Sequence, residues 1–203
     1  MFQGMLATPQ AVRADSPFQT LDDLIEALRA DPGALSWGHT GRGGFHFVNG
    51  ASLLAATGTE ALDIPFKGSS KTVAALLGGH IDYAFLSTSN YLGFEKEMRF
   101  LAFAADNRDD LVPDVPTVAE AGIDMVTVPT PSVIAVHKDT PDEIVTILSD
   151  AIRKAVETPR YRDTLTAMGI APVYADGAQI KTYLEANIGP WKTLVDAAAA
   201  TAS

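Results

Sequence analysis

Short apolar segments alternate with segments of helical periodicity over the first half of the chain, and this alternation constrains the fold most. Thr20 and Asp23 have the spacing of a capping box, which predicts the start of the first helix. The predicted strands are residues 34–37, 61–66, 80–87 and 98–105, and the predicted helices are residues 20–30, 45–58 and 72–79. Because strands that alternate with helices of about ten residues form parallel sheets, the sequence predicts an α/β fold around a parallel sheet.

Proline becomes frequent after residue 106, where the alternation ends. Five prolines lie between residues 106 and 143, which predicts a crossover segment between two lobes. Thr140, Pro141 and Glu143 predict a helix start, with a hydroxyl cap and a first-turn acid. The elements predicted here are a helix at 117–122, a strand at 132–137, helices at 140–157 and 159–169, a strand at 170–175 and a helix at 176–200 bent near Pro190.

Charge and composition exclude several classes of function. A formal net charge of −10 argues against nucleic acid as a partner, because phosphate backbones bind basic surfaces. The absence of cysteine removes disulfides, thiolate nucleophiles and cysteine metal ligands. No apolar run reaches the roughly 20 residues that cross a bilayer, so the chain is predicted not to span a membrane. The first 20 residues show neither the basic start nor the apolar stretch of a secretory signal.

The glycine-rich segment SWGHTGRGGFHF, residues 36–47, does not have the spacing of a nucleotide-binding loop. A Walker loop needs lysine where Gly44 stands, and a dinucleotide fingerprint needs glycine where His46 stands. The four histidines include no i, i+4 pair for a metal, and KGSSK at residues 67–71 lacks the second glycine of a nucleophile elbow. The sequence therefore predicts no catalytic residue, no metal site and no cofactor.

Three predicted strand-to-helix turns carry glycines and hydroxyl side chains. They are Thr40–Gly44, Lys67–Ser70 and Leu86–Asn90. Such turns expose backbone N–H groups beside the positive end of a helix dipole, and in open α/β sheets ligands bind at the edge that consecutive turns share. We expect one anion-binding pocket there, rich in donors and poor in acids. The alternative is that each hydroxyl only caps its own helix.

Four longer motifs follow one another between Ser16 and Trp191. They are SPFQTLDDLIEALRADPGALSWGHTGRGGFH, DIPFKGSSKTVAALLGGHIDYAF, PDVPTVAEAGI and DTPDEIVTILSDAIRKAVETP. In this order they resemble the Bug family of extracytoplasmic solute receptors. The resemblance implies a two-lobed α/β fold like that of type II periplasmic binding proteins. It also implies a receptor, not an enzyme, that delivers a small carboxylate to the membrane components of a tripartite tricarboxylate transporter.

The resemblance further implies a periplasmic location and an N-terminal truncation, with one lobe incomplete and the export signal absent. It divides the chain into residues 1–19 (crossover or remnant of the first lobe), 20–104 (second lobe, with the ligand loops), 105–130 (crossover) and 131–203 (C-terminal part of the first lobe). Two features depart from the family pattern. The glycine loop is one position shorter and lacks a hydroxyl before His46, and TPTPSV stands in place of an aromatic-bearing strand.

The predicted ligand-binding residues come from the three turns. They are Thr40, Gly41, Arg42, Gly43 and Gly44, then Lys67, Gly68 and Ser69, then Ser87, Thr88 and Ser89. Compared with the family, Arg42 would add a charge that helix dipoles normally supply, and His46 is expected to orient its neighbours or pack. Two alternatives stay open, a cytosolic effector-sensing domain of the same architecture and a truncated, non-functional remnant.

Overall fold

The computed structural model describes residues 2–6, 8–110, 112–128, 130–170, 172 and 174–201. The strands are β1 Phe2–Leu6, β2 Pro9–Arg13, β3 Ser36–His39, β4 Leu62–Pro65, β5 Tyr83–Phe85, β6 Met98–Phe103 and β7 Thr130–Val133. The helices are α1 Leu21–Ala30, α2 Phe45–Thr57, α3 Ser69–Leu77, α4 Asp142–Val156, α5 Pro159–Ala167 and α6 Gly177–Thr201. The predicted strands and helices between residues 20 and 105 are confirmed, with their ends shifted by a few positions.

Five strands form one mixed sheet in the order β4-β3-β5-β2-β6. β3 is parallel to β4 and to β5, whereas β2 is antiparallel to β5 and to β6. β3, β4, β5 and β6 therefore run in one direction, and their carboxyl ends lie at one edge of the sheet. The prediction of a parallel sheet is correct for these four strands and wrong for β2, which comes from a segment where no strand was predicted.

Two apolar cores lie on the two faces of this sheet. α1 and α2 pack on the face that carries Val12, Trp37 and Tyr83, and α3 packs on the face that carries Ala11 and Ala84. Neighbouring strand residues thus point to opposite cores, as the period of two in a strand requires. Because both faces are covered, β5 is apolar and buried throughout rather than alternating, and the consecutive residues Ala11 and Val12 of β2 are both buried.

The capping box predicts the start of α1 correctly. Thr20 Oγ1 accepts the N–H of Asp23 at 3.2 Å, and the Asp23 carboxylate accepts the N–H of Thr20 at 2.8 Å. The first free N–H groups of the helix are satisfied in this way. The buried residues of α1 recur at helical spacing and are Leu21, Leu24, Ile25 and Leu28.

The indole of Trp37 lies at the centre of the larger core. It is 1% exposed and stacks on the Phe47 ring at a centroid distance of 5.9 Å. α2 contacts the indole at Gly50, where a Cβ would lie 2.2 Å from Cζ3 of Trp37. Since real Cβ atoms do not approach other carbons so closely, the position of α2 on the sheet depends on glycine at this point.

The strands β1 and β7 and the helix α6 lie outside the five-stranded sheet. β1 and β7 pair antiparallel as a separate two-stranded sheet. Just before β7, the backbone of Val128 exchanges two 2.8 Å hydrogen bonds with the side-chain amide of Asn49 on α2. The α6 side chains that pack against the Trp37 core are Trp191, Leu194 and Val195.

Several predictions beyond residue 106 need correction. The helix predicted at 117–122 does not form, since Thr117 lies in a β-bridge and residues 118–122 form turns. The strand predicted at 132–137 is β7, which ends at Val133. The helix predicted from Thr140 begins at Asp142 with Pro141 as its N-cap and no side-chain cap. The strand predicted at 170–175 includes Ala171 and Val173, which lie outside the described residues. The domain boundaries and the bend near Pro190 stay predictions.

The contact between Gly50 and Trp37 yields a test of the packing. We expect Gly50→Ala to lower the free energy of unfolding by about 1–3 kcal/mol, because the added methyl forces α2 away from the indole. This loss corresponds to a Tm lower by about 2–4 °C for each kcal/mol in a chain of this size. Gly177→Ala is the control, since no atom lies within 4 Å of a Cβ at that position; equal Tm values for the two variants would contradict the prediction.

Candidate functional site

The three predicted turns lie together at the carboxyl edge of the sheet. Thr40–Gly44 follows β3, residues 66–68 follow β4, and residues 86–87 follow β5 and lead into a 3-10 turn at Thr88–Asn90. Because β3 lies between β4 and β5 in the sheet, the first turn lies between the other two. The edge therefore brings together the segments that the sequence analysis assigned to ligand binding.

Backbone N–H groups at this edge are partly occupied within the protein. Gly41 N–H donates to His39 Nδ1 at 3.1 Å, and Gly44 N–H donates to the carbonyl oxygen of Gly41 at 3.3 Å. Among the described residues, the N–H groups of Arg42 and Gly43 have no partner. The first turn can therefore offer an anion the N–H groups of Arg42 and Gly43, but not those of Gly41 and Gly44.

Two helices begin at the edge without a side-chain cap. Gly44 is the N-cap of α2 and Gly68 is the N-cap of α3, and neither helix start has a side-chain cap hydrogen bond. Gly43 and Gly68 have φ values of +79° and +98°, which side-chain-bearing residues rarely adopt. The positive ends of both helix dipoles and their first N–H groups therefore face the edge.

Arg42 lies at the edge but its charge is paired. Its guanidinium donates from Nε and Nη2 to the two carboxylate oxygens of Asp63, at 2.9 and 3.0 Å. These hydrogen bonds hold the pKa of Asp63 below its usual value, so the carboxylate stays ionised beside the guanidinium. The role of Arg42 in ligand binding stays a prediction, and a ligand would meet a guanidinium already neutralised by Asp63.

His39 connects this ion pair to the glycine turn. Its ring is fully buried, its Nδ1 accepts from Gly41 N–H, and its Nε2 lies 3.2 Å from the Asp63 carboxylate. Because Nδ1 accepts, the ring proton is on Nε2 and donates to Asp63. Burial lowers the pKa of His39. Asp63 therefore holds the ring, and the ring in turn holds the backbone of Gly41.

His46 bridges the first turn and the third turn. Its Nδ1 lies 2.9 Å from Thr40 Oγ1, and its Nε2 lies 3.1 Å from Ser87 Oγ. The ring is buried at the start of α2, and burial lowers its pKa to about 4, with a smaller contribution from His39. His46 is therefore neutral near pH 7 and holds two of the predicted ligand residues at once.

Asp109 is an acid that lies at the candidate site and that the sequence does not predict there. Thr88 Oγ1 donates to Asp109 Oδ2 at 2.7 Å, and Asp109 lies in the loop after β6, the fourth strand that ends at this edge. With Asp63, it makes the edge less poor in acids than expected. Asp63 is the second residue of β4 and Asp109 lies in the loop after β6, so neither acid lies in a glycine turn and no signal in the sequence places them at this edge.

The remaining predicted ligand residues lie in the second and third turns. Ser87 N–H donates to Asn90 Oδ1 at 3.1 Å, which shapes the third turn, and the backbone of Ser89 packs against Gly169. Lys67 and Ser69 lie at the start of α3, and within the part of the chain that the structure describes no carboxylate pairs with Lys67. The described residues contain no group of three histidine or acid side chains able to hold a metal ion.

The fold matches solved solute-binding proteins. A TctC solute binding protein from Polaromonas superposes with a TM-score of 0.79 at 27% identity, over 96% of this chain and 67% of that protein. Two proteins of Rhodopseudomonas palustris, at 23% identity each, show the same fold. Rpa4515 with adipate has a TM-score of 0.82 over 98% of this chain and 67% of its own, and MatC with bound malate has 0.80 over 96% and 68%. The chain has the mixed α/β fold of periplasmic solute-binding proteins.

The sequence comparison identifies the family. The family described as tripartite tricarboxylate transporter family receptor, TctC, matches residues 5–199. A Cupriavidus necator relative, the UPF0065 protein in the gbd 5' region, is 30% identical over 187 residues, which are 91% of this chain and 57% of that protein. The chain therefore belongs to the tripartite tricarboxylate transporter receptor family, and it spans little more than half the length of this relative.

Membership confirms the resemblance stated from the motifs. Protein BugT of Bordetella pertussis is 28% identical over 194 residues, 94% of this chain and 58% of BugT. Members of the family are substrate-binding receptors rather than enzymes, and they are typically periplasmic. No helix within the described ranges is long and apolar enough to span a bilayer.

The low pKa of His46 predicts a loss of stability in acid. In the unfolded chain a histidine has a pKa of about 6.5, and in the folded chain that of His46 is about 4. Between these values the unfolded chain binds more protons, so stability falls as the pH falls from about 6.5 to about 4, by up to about 3 kcal/mol for this group. Urea unfolding at pH 7 and pH 4.5 measures the difference.

Two variants separate this contribution from other acid effects. His46→Gln should show a smaller loss between pH 7 and pH 4.5 than the wild type, because the titrating ring is gone. His137→Gln is the control, since that side chain is 74% exposed and should leave the wild-type loss unchanged. A loss in His46→Gln as large as in the wild type would contradict the assignment.

Proposed function

We propose that this chain is the ligand-binding part of a periplasmic receptor that captures a small carboxylate for the membrane components of a tripartite tricarboxylate transporter. The observation that supports this proposal most is that two uncapped helix N-termini and a glycine turn lie at the same edge of the sheet. Family membership supports the receptor role, and the bound adipate and malate of two proteins with this fold support a carboxylate as the ligand class.

The electrostatics of the edge favour an anion despite the acidic chain. A net charge of −10 repels anions at long range, but salt screens such repulsion beyond about 8–10 Å. At the edge, the Asp63 carboxylate is offset by Arg42, so the pair adds little net charge. The helix dipoles, the unpaired N–H groups and the ammonium group of Lys67 then act on a bound carboxylate without competition from this acid.

Direct titration tests the proposal. We expect malate or adipate, added to the purified chain, to raise its Tm and to give saturable heat in calorimetry, because a ligand that binds the folded state stabilises it. Tricarballylate and succinate extend the panel to other small carboxylates. A folded chain whose Tm rises with none of these acids, even at millimolar concentration, would contradict the proposal.

The glycine turn has a matched control at the opposite edge. Gly43 and Gly33 have nearly equal φ values of +79° and +77°, and a Cβ at either position meets no atom within 4 Å. We expect Gly43→Val and Gly33→Val to lose similar stability through backbone strain. Only Gly43→Val should weaken binding of the best acid in the panel, by about tenfold, because its side chain covers N–H groups worth about 1.4 kcal/mol to the ligand. Equal affinities for the two variants would exclude this turn from the site.

A further inference from the structure

The Thr40–His46–Ser87 chain of hydrogen bonds connects two turns that are far apart in sequence. Thr40 precedes His46 by six positions, and Ser87 follows it by 41. The ring is 6% exposed, and so is Ser87, so water does not compete freely for these contacts. The geometry of the two hydroxyl groups is therefore set by one imidazole ring.

We propose that His46 is a positioning residue that gives the two site hydroxyls opposite hydrogen-bonding roles, so that the site prefers a carboxylate that also carries a hydrogen-bond donor. This inference rests on the proposed function and goes beyond it, because it specifies which additional group the ligand carries. It assigns His46 an action through Thr40 and Ser87 rather than a contact with the ligand.

A neutral imidazole cannot make the same hydrogen bond to both hydroxyls. Such a ring has one N–H donor and one acceptor nitrogen, and each nitrogen of His46 contacts one hydroxyl. The hydroxyl beside the N–H accepts that proton, and its own O–H remains available to donate to a carboxylate. The hydroxyl beside the acceptor nitrogen donates to the ring, and only its lone pairs remain for a ligand.

This asymmetry is independent of which tautomer is present. If Nδ1 carries the proton, Thr40 is the hydroxyl that donates to the ligand, and if Nε2 carries it, Ser87 has that role. In both cases one hydroxyl meets a carboxylate and the other accepts from a donor group such as a hydroxyl. If a carboxylate lay at each hydroxyl, one of the two carboxylates would face only the oxygen lone pairs of its hydroxyl. Such a contact has no hydrogen bond and costs binding free energy.

Malate and succinate provide the probe, because they differ by one hydroxyl group. We expect the wild type to bind malate at least tenfold more tightly than succinate. His46→Phe keeps an aromatic ring without hydrogen bonds and should bring the two affinities within about twofold, whereas His46→Gln keeps one donor and one acceptor and should restore part of the preference. A malate preference that is unchanged in His46→Phe would overturn the inference.

Nitrogen NMR of the His46 ring reads the tautomer directly. In the wild type we expect one protonated and one unprotonated nitrogen near pH 7, and addition of malate should move the equilibrium toward one tautomer. A ring protonated on both nitrogens in the malate complex would overturn the inference, since both hydroxyls could then donate to the ligand.

A measurement without ligand keeps the inference separate from the proposed function. If the wild type binds no acid of the panel, the receptor proposal fails, but the coupling between the hydroxyls can still be measured. In a double-mutant cycle, Thr40→Val with Ser87→Ala should lower the Tm by about 2 °C less than the sum of the single variants, because both act on one ring. The same cycle in His46→Phe should be additive, and additivity in the wild type would overturn the role of His46 in coupling the two turns.

Discussion

β2 holds the sheet together, because it is hydrogen-bonded to β5 on one side and to β6 on the other. β5 and β6 are not neighbours in the sheet order, so without β2 each would present a row of unpaired backbone groups. Its residues Ala11 and Val12 are fully buried, one in each core. The alignment of the loop after β6 with the turn after β5 depends on this strand, and the Thr88–Asp109 hydrogen bond connects the two.

The candidate site therefore combines groups held by four strands and by two helices. Asp63 of β4 holds Arg42 and His39, His39 holds Gly41, and His46 holds Thr40 and Ser87. Each of these contacts uses a polar group that could otherwise bind solvent or a ligand. What remains for a ligand is a small set of N–H groups and hydroxyls in fixed positions, which is the condition for selective binding of a small anion.

Local sequence signals predict the parts of the fold that depend on neighbouring residues. The Thr20–Asp23 capping box and the glycine turns are examples, because spacing alone specifies their hydrogen bonds. β2 was missed for a physical reason, since a five-residue strand buried on both faces has no alternation and its partners lie more than 70 positions away. Asp63 was missed because its partner Arg42 is 21 positions away, and spacing in the sequence does not reveal that contact.

Residues 117–122 show how a correct local signal can give a wrong element. Thr117 and Glu120 exchange the two hydrogen bonds of a capping box, at 2.8 and 3.1 Å, yet only turns follow. A helix does not form here because Thr117 is paired in a β-bridge with Phe103 at the end of β6. At the other end of the segment, Gly122 has a φ of +79°, which is not a helical value.

Contacts between the sheet and the last third of the chain reach the candidate site itself. Gly169, after α5, has a φ of +71°, and a Cβ there would lie 2.9 Å from the Cα of Ser89. Close packing of this kind transmits displacement, because neither backbone can move toward the other. A shift of the segment after α5 relative to the sheet would therefore move Ser89, and through the third turn the hydroxyl of Ser87. If the edge binds a ligand as proposed, its affinity depends on the position of the segment after α5, although none of the three predicted turns comes from that part of the chain.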